Sequence, residues 1–350
     1  MGIVKSKNKN SQKATKTEKA TKTDKTSKTE ITAKLILNNQ NISNFDLLKK
    51  TNLKELKELN LSDNKIEDLN PLANFKIPNL EILNLTRNKF SNIDVLAKVD
   101  FKQLKILDLT GNGIIDIKVL ENAQFEKLEQ LFLGWNKIDN VDILEKVNFK
   151  ELKKLCLRFN NITNINVLEN VKFEKLEKLY LSGNEGLRSI DILEKANFPE
   201  LKELHSQYTQ ISNIKVLGKV NFKKLERLDL GSNNFSDIEI LENVDFKELK
   251  ELCFSFNKIY NIDVLERVKF DKLEDLDIST NKISNIEVLE KVNFKNLKKL
   301  QLQFNNIYNI DVFGKVKFEN LEELNLSANK INQSSPIIKN LKPHLKTFYY

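Results

Sequence analysis

The stretch that decides the fold is LKELNLSDNKI, residues 56–66, because its pattern recurs along most of the chain. Its first leucine returns every 24 residues, and after one step of 25 residues the same register resumes. These leucines are Leu56, Leu80, Leu104, Leu128, Leu152, Leu176, Leu201, Leu225, Leu249, Leu273, Leu297 and Leu321. A fixed period in the twenties is typical of solenoids, in which each repeat adds one supersecondary unit that packs only on its neighbours.

Each repeat is expected to combine a strand, a polar turn and a helical turn. Leu83 and Leu85 are two residues apart, the period of a strand with one buried face, so Asn84 must point to the opposite face. An Asn recurs three residues after the second strand leucine, as at Asn88, where its amide can bond backbone groups that leave the sheet. Stretches such as 142–145 (DILE) resemble a capping box and predict one short helical turn per repeat.

The motifs LKELNLSDNKI at 56–66 and LEDLDISTNKI at 273–283 resemble cytosolic leucine-rich repeats. The resemblance extends over about residues 32–341. The pattern LxxLxLxxNxIxxI is similar to the short-repeat class that includes regulators of a Ser/Thr protein phosphatase and axonemal dynein light chains. This resemblance implies an α/β fold: a right-handed solenoid, or horseshoe, with a parallel sheet on the concave side and short helical turns on the convex side. It also implies non-catalytic binding of a protein partner through the concave face.

Two regions are expected along the chain. Residues 1–31 are predicted to be a disordered Lys/Thr-rich tail, because low hydrophobicity and high charge prevent folding, and residues 32–350 a repeat domain of about thirteen units. The segment 1–34 holds ten Lys and three acidic residues out of totals of 57 basic and 49 acidic residues. The remainder of the chain is therefore nearly neutral, and the basic character belongs to the tail.

Large side chains replace small polar ones at outward positions of the middle repeats, where other repeats have residues such as Asn60, Ser62 and Thr86. Neighbouring strands lie about 4.8 Å apart, so the large residues are expected to form one continuous surface. Aromatic residues and Arg are the usual hot-spot composition of protein interfaces. We name this predicted partner-binding site the aromatic patch: Phe132, Trp135, Arg158, Phe159, Tyr180, His205, Gln207 and Tyr208. Phe256 and Phe304 share the column of Trp135 but stand alone in their repeats, so they are given less weight.

Two irregularities fall beside the aromatic patch. One repeat carries an extra residue within 184–187, and the next has Ser206 at a core leucine position and Thr209 at the Asn position. Deviations from an otherwise consistent pattern tend to lie at functional sites, which favours an interface. The alternative is simple decay of the repeat, with Trp135 and Phe159 lying over the turns as packing.

The N-terminus fits a lipidation pattern. The first six residues, MGIVKS, match MGxxx[ST], in which Gly2 becomes the amino terminus and is myristoylated. One myristoyl chain needs a second membrane signal, which the lysines at every third position from Lys13 to Lys28 can supply on an anionic membrane surface. A purely solubilising tail is an open alternative. A nucleic-acid-binding arm is disfavoured, because the tail has no Arg or aromatic residue for base contacts. In a bacterial source, acylation would require delivery into a eukaryotic cell.

The sequence does not favour an enzyme. It has two histidines, His205 and His344, and no Gly-rich phosphate loop, Cys/His metal spacing or nucleophile elbow. Asp229 and Asp277 share an outward column but lie two strands apart, about 10 Å, too far for an acid/base pair. We therefore predict no catalytic residue, no metal site, no cofactor and no small-molecule substrate. A regulatory subunit that holds an enzyme, such as a Ser/Thr phosphatase, is the alternative function.

Location is inferred from what the sequence lacks. No apolar run reaches the roughly 18 residues of a transmembrane helix, and the N-terminus has no apolar signal-peptide core. We expect a cytoplasmic protein, with the tail placing it on the cytoplasmic face of a membrane. Cys156 and Cys253 lie four repeats apart, too far for a disulfide, and are expected to be free thiols.

Overall fold

A computed structural model describes residues 33–316 and 318–350. Within these residues, fourteen strands form one parallel sheet in which strand order follows chain order. The strands are β1 Lys34–Ile36, β2 Glu58–Asn60, β3 Ile82–Asn84, β4 Ile106–Asp108, β5 Gln130–Phe132, β6 Lys154–Cys156, β7 Lys178–Tyr180, β8 Glu203–His205, β9 Arg227–Asp229, β10 Glu251–Cys253, β11 Asp275–Asp277, β12 Lys299–Gln301, β13 Glu323–Asn325 and β14 Thr347–Tyr349. The predicted solenoid with one parallel concave sheet is confirmed. The sheet has one strand more than the thirteen expected units, because the degenerate first motif and the last residues each form a strand.

The register of the sheet is set by its central leucines. Leu59 of β2 pairs with Leu83 of β3, and the same pairing of equivalent residues continues along the sheet. These leucines are buried, while the residues on either side of them, such as Glu58 and Asn60, are only partly buried and face the concave side. A slip by one residue would expose every central leucine, so the burial pattern fixes the register.

The convex side carries short helices, one in each crossover except the last, which has two. They are 3-10 helices at Leu48–Lys50, Asn70–Asn74, Asp94–Ala97, Lys118–Asn122, Asp142–Glu145, Asn166–Glu169, Asp191–Glu194, Lys215–Gly218, Glu239–Asn243, Asp263–Glu266, Glu287–Glu290, Asp311–Gly314 and Lys342–His344, with one α-helix, α1, at Pro336–Leu341. Between sheet and helices lies a continuous core with one buried phenylalanine column, Phe101, Phe125, Phe149, Phe173, Phe198, Phe222, Phe246, Phe270 and Phe294.

The predicted helical turns are present, but the predicted capping box is wrong. Asp142 is the first residue of its 3-10 helix, and Val141 before it makes no side-chain cap bond. The side-chain oxygen of Asn140 instead accepts the backbone N–H of Asp142 at 2.8 Å, an Asx turn. Asn92 does the same for Asp94 at 2.8 Å. The capping side chain is therefore Asn140, two positions before the Asp142 that the sequence predicts as the cap.

The recurrent asparagine bonds the backbone as the sequence predicts. Asn136 donates its amide hydrogens to the carbonyl oxygens of Leu109 at 3.1 Å and Leu133 at 3.0 Å. Its side-chain oxygen accepts the backbone N–H of Ile114 at 3.2 Å. One side chain thus satisfies buried backbone groups in two adjacent repeats, and we name the series from Asn64 to Asn329 the asparagine ladder.

Opposite charges alternate in the column just before the strands. Glu81 pairs with Lys105 at 2.7 Å and with Lys57 at 3.4 Å, and these two lysines, Lys105 first, hold the pKa of Glu81 below its usual range. We name this column the charge ladder: Lys57, Glu81, Lys105, Glu129, Lys153, Glu177, Lys202, Glu226, Lys250, Glu274, Lys298, Glu322 and Lys346. Like charges would repel at the strand spacing, so alternation removes a repulsion that a strict 24-residue repeat would create.

The described residues do not include the predicted tail. Gly2 and the lysines from Lys13 to Lys28 lie outside them, and the tail boundary at residue 31 stays a prediction. Across 33–316 and 318–350, no helix combines the length and apolar character needed to cross a membrane.

Candidate protein-binding surface

Four residues of each repeat reach the concave side or its rim. In the repeat of β6 they are the two ends of the strand, Lys154 and Cys156, then Arg158 two residues further, and Phe159 where the chain turns away from the sheet. The same four positions recur on every strand because the register is strict. Each predicted patch residue therefore falls either on the inner face of the sheet or on its rim.

Arg158 lies at the centre of the inner group. Its guanidinium carbon is 4.1 Å from the ring centroid of Tyr180, and its Nη2 is 3.0 Å from Nδ1 of His205. Tyr180 and His205 meet edge to face with ring centroids 4.9 Å apart, and both are buried. These three side chains come from three consecutive strands and immobilise one another.

Glu203 anchors this cluster from below. The Tyr180 hydroxyl donates a hydrogen bond to its carboxylate at 2.5 Å, and Lys178 forms an ion pair with it at 2.7 Å. Lys154 lies over the Phe132 ring at 4.8 Å and over the Tyr180 ring at 5.2 Å. The inner face here combines fixed cations with aromatic rings, and sequence reasoning missed Lys154, Lys178 and Glu203 because alternating Lys and Glu occur throughout the chain.

The cluster fixes the charge state of its members. Burial, followed by the positive charge of Arg158, lowers the pKa of His205 to about 4, so the ring is neutral at pH 7. Because Nδ1 accepts from Arg158, the ring hydrogen is on Nε2. Burial, together with the hydrogen bond to Glu203, raises the pKa of Tyr180 above its usual range. Of the three residues Arg158, Tyr180 and His205, Arg158 is therefore the charged one, and it lies beside two neutral aromatic rings.

Gln207 ties three strands together at the edge of the cluster. Its side-chain oxygen accepts from the Ser182 hydroxyl, and its amide donates to the carboxylate of Asp229. Asp229 also accepts the backbone N–H of Gly231 at 3.0 Å, and burial raises its pKa. Both the oxygen and the nitrogen of the Gln207 side chain are thus bonded to neighbouring repeats, which makes it a residue that positions its neighbours within this surface.

On the rim, Trp135 and Tyr208 are exposed, unlike the buried Tyr180 and His205. Trp135 is 59% exposed and stacks on Phe159 with ring centroids 4.0 Å apart and an interplanar angle of 19°. Tyr208 is equally exposed, at 59%. All three residues have a left-handed backbone, with φ of 55°, 53° and 50°, which is unfavourable for bulky side chains. Phe159 lies against Gly183, where any side chain would overlap its ring.

The predicted patch thus divides into two groups. Phe132, Arg158, Tyr180, His205 and Gln207 form an inner group. Arg158, Tyr180 and His205 contact one another, while Phe132 contacts Lys154 and Gln207 bonds Ser182 and Asp229, so packing is part of their role. Trp135, Phe159 and Tyr208 form an outer group on the rim. Phe256 and Phe304, given less weight from the sequence, are as exposed as Trp135 and occupy the same rim column. Phe256 and Phe304 are 48 residues, or two repeats, apart, and this spacing was the pattern in the sequence that could have identified them.

The two irregularities beside the patch compensate each other. In a regular repeat the backbone N–H of Ile162 bonds the side-chain oxygen of Asn184 at 3.1 Å, in the following repeat. With the extra residue, the backbone N–H of Leu187 bonds the carbonyl of Asn184 at 2.9 Å instead. The Asn side chain of a regular repeat is then not needed at position 209, where the hydroxyl of Thr209 donates to Asn233 at 2.7 Å. Local hydrogen bonding accounts for this departure without a ligand.

Comparison with known proteins agrees with the repeat pattern. The family model described as "Leucine Rich repeats (2 copies)" matches residues 54–98, 150–195 and 247–291, and the model "Leucine Rich Repeat" matches residues 320–341. The chain is a leucine-rich repeat protein. No curated protein matches this leucine-rich repeat chain.

Solved structures share the fold. An internalin from Listeria monocytogenes is 25% identical, with a TM-score of 0.75 over 91% of this leucine-rich repeat chain and 86% of the internalin. A leucine-rich repeat protein of Leptospira interrogans is 26% identical, with a TM-score of 0.71 over 84% of this chain and 72% of its own. The Arabidopsis receptor kinase HAESA, solved with the peptide hormone IDA and the co-receptor SERK1, is 23% identical with a TM-score of 0.58, over 80% of this chain and 47% of its own, and shows the fold alone.

Leucine-rich repeat folds are generally non-catalytic interaction modules. Across the described residues, no group of three or more His, Cys, Asp or Glu is arranged to hold a metal ion. Cys156 and Cys253 are free thiols, and burial raises the pKa of both. The chemistry that this surface supports is recognition through aromatic rings, one fixed guanidinium and backbone-bonded polar groups.

Proposed function

We propose that this leucine-rich repeat domain is a non-catalytic module that binds a protein partner on its concave face, with the aromatic patch as the main contact. The observation that carries the proposal is the continuity of the Arg158–Tyr180–His205 cluster with the stack of exposed Trp135 on half-buried Phe159 at the neighbouring rim. Binding there would require little further ordering of the inner side chains, which reduces the entropic cost of association.

Composition and fold both support a polypeptide partner. Trp, Tyr and Arg are the residues enriched at the hot spots of protein interfaces. HAESA, which shares the fold, forms complexes with a peptide hormone and a co-receptor. We infer the same class of ligand for this chain, a protein or peptide rather than nucleic acid or a small molecule.

The location remains part of the proposal. A cytoplasmic protein tethered to an anionic membrane by a myristoyl group on Gly2 and by the tail lysines would present the concave face to membrane-associated partners. The lipidation motif and the lysine spacing support this arrangement. Metabolic labelling in a eukaryotic host tests it, because absence of myristate incorporation would remove the tether.

The test of the binding proposal begins with affinity purification and mass spectrometry to obtain a partner. Trp135→Ala and Tyr208→Ala should each weaken binding of that partner by about thirtyfold, as expected for a hot-spot loss of roughly 2 kcal/mol. Lys146→Ala, on the exposed convex side, is the matched control and should bind normally. Variants that fold normally and bind every captured partner with unchanged affinity would refute the patch. A stoichiometric phosphatase or kinase in the purification would favour the regulatory-subunit alternative.

A further inference from the structure

A row of aromatic side chains, three of them exposed and Phe159 half-buried, continues along the rim beyond the aromatic patch. It occupies the rim position of every second repeat, and small residues occupy the repeats between. We name it the rim row: Phe159, Tyr208, Phe256 and Phe304, alternating with Gly183, Ser232, Thr280 and Ala328. Its last three aromatic members are between 57% and 60% exposed. Four aromatic rings in such an alternation form a linear surface with a period of two strands.

The backbone at these positions gives no structural reason for an aromatic residue. The φ angles of Phe256 and Phe304 are 54° and 55°, in the left-handed region where a bulky side chain is an outlier. Their rings are mostly exposed, so burial does not offset this cost. The same left-handed φ recurs where the residue is Ser232, Thr280 or Ala328, so the turn sets the backbone conformation and does not require an aromatic side chain.

At the first position of the row the alternation has a steric cause. Phe159 lies against Gly183 of the next repeat, and a side chain at 183 would overlap the ring. Where two large residues follow each other, at Trp135 and Phe159, the rings stack and cover one another. The exposed rings of Tyr208, Phe256 and Phe304 have no aromatic residue between them and recur at intervals of two strands, which is about 9.6 Å.

We propose that the rim row binds a proline-rich segment of a protein partner in the polyproline II conformation. That helix has three residues per turn and a rise of about 3.1 Å, so equivalent residues recur every ~9.3 Å. Across the two intervals between the exposed rings of Tyr208, Phe256 and Phe304 the mismatch adds to only about 0.6 Å. Two turns of α-helix span about 10.8 Å and drift by about 2.4 Å over the same distance. A β-strand repeats its side chains every ~6.7 Å and does not match.

The chemistry of the row fits proline. Its members carry no charge, and proline rings dock on aromatic-lined grooves in known recognition modes. Tyr260 and Tyr308 are also exposed and follow Phe256 and Phe304 by four residues each. Polyproline II has no internal hydrogen bonds, so its carbonyl groups are free to accept from such hydroxyls. The inference rests on the proposed function, since Phe159 and Tyr208 belong to both surfaces, and it adds the class of ligand.

The experiment measures peptide binding to the purified full-length protein. The probe is a peptide of Pro-Pro-Ser repeats about twelve residues long, which spans the row. A Gly-Ala-Ser peptide of equal length is the control. Trp135 is the single tryptophan of the chain, so its fluorescence, together with calorimetry, reports binding beside Phe159. The proline peptide should bind at least about tenfold more tightly than the control.

The decisive variant exchanges two rim residues: Phe256→Thr with Thr280→Phe. Composition and the number of aromatic rings stay the same, and both positions have nearly equal φ, 54° and 50°. The regular two-strand spacing is lost, and the aromatic ring moved to position 280 neighbours Phe304, on which it can stack as Trp135 does on Phe159, so affinity for the proline peptide should fall about tenfold. Unchanged affinity would overturn the inference, because a general apolar surface does not depend on spacing. Phe304→Ala, a single change at an exposed ring, should also weaken binding and serves if the exchange impairs folding.

Further outcomes separate this inference from the proposed function. If the proline peptide binds no better than the control while Tyr208→Ala still weakens a captured partner, only the polyproline inference fails. A soluble β-linked glycan or an amphipathic helical peptide that binds in place of the proline peptide would overturn it as well. If binding of the proline peptide depends on Phe256 while every patch variant binds the captured partner with unchanged affinity, the aromatic patch is refuted and the rim row is retained.

Discussion

Gly183 decides how the rim aromatics lie. Its φ of +75° and its contact with the Phe159 ring both exclude a side chain, whereas Gly111, at +72°, faces the flexible Arg87 side chain, with a hypothetical Cβ 3.1 Å from its Cγ. Gly183→Ala and Gly111→Ala therefore share the backbone cost of roughly 1–2 kcal/mol, and Gly183→Ala adds a clash with Phe159. Gly183→Ala should lower the free energy of unfolding further and alter Trp135 fluorescence, while Gly111→Ala leaves the fluorescence unchanged. Equal effects in denaturation and fluorescence would show that the ring contact contributes nothing.

His205 makes stability depend on pH. Burial, with Arg158, holds its pKa at about 4 in the folded protein, while an unfolded histidine has a pKa near 6.5. Between these values the unfolded state binds the extra proton, so the free energy of unfolding falls as pH decreases, by up to roughly 3 kcal/mol from this group. His205→Gln removes the titrating ring. The free energy of unfolding of the wild type should therefore fall relative to that of His205→Gln between pH 6.5 and pH 4. A difference that stays constant over this range would contradict a neutral buried His205.

At the scale of elements, the asparagine ladder joins consecutive repeats. Asn160 bonds the carbonyls of Leu133 and Leu157 at 2.9 and 3.1 Å and the N–H of Ile138 at 3.0 Å, so Asn160→Ala leaves buried backbone groups without partners. We expect a loss of about 2–4 kcal/mol in chemical denaturation. Thr209→Ala removes mainly one hydroxyl bond and should cost about 1 kcal/mol. A loss clearly larger than this for Thr209→Ala would contradict the interpretation that the extra residue within 184–187 makes an Asn unnecessary at position 209.

The strands and their register could be predicted because every repeat presents the same leucines, and strand order in a solenoid follows chain order. The helix starts could not, since an Asx turn and a capping box use the same residue types two positions apart. The contact of Arg158 with His205 also escaped prediction, because it spans two strands and depends on which rotamers fit beside Tyr180. Comparison of each repeat with its immediate neighbour does not reveal the rim row, because the period of the row is two repeats.

At the scale of the whole molecule, the sheet is one element extended by addition. Each strand contacts only its two neighbours, so stability is expected to be the sum of repeat and interface contributions. A ligand along the rim row would bridge repeats that do not touch each other. Binding at the row should therefore couple distant repeats more strongly than a contact confined to two adjacent strands.

Because charge alternates along the charge ladder, adding or removing an odd number of repeats differs from adding or removing an even number. Removing one repeat of 24 residues, for example 81–104, would bring Lys57 beside Lys105, and inserting one would create a like-charged pair elsewhere in the column. Removing two adjacent repeats leaves the alternation of charge intact and, between Phe159 and Ala328, preserves the sequence of aromatic and small residues on the rim as well. The length of this solenoid can thus change without electrostatic cost only by even numbers of repeats, and the pair, rather than the single repeat, is its unit of growth.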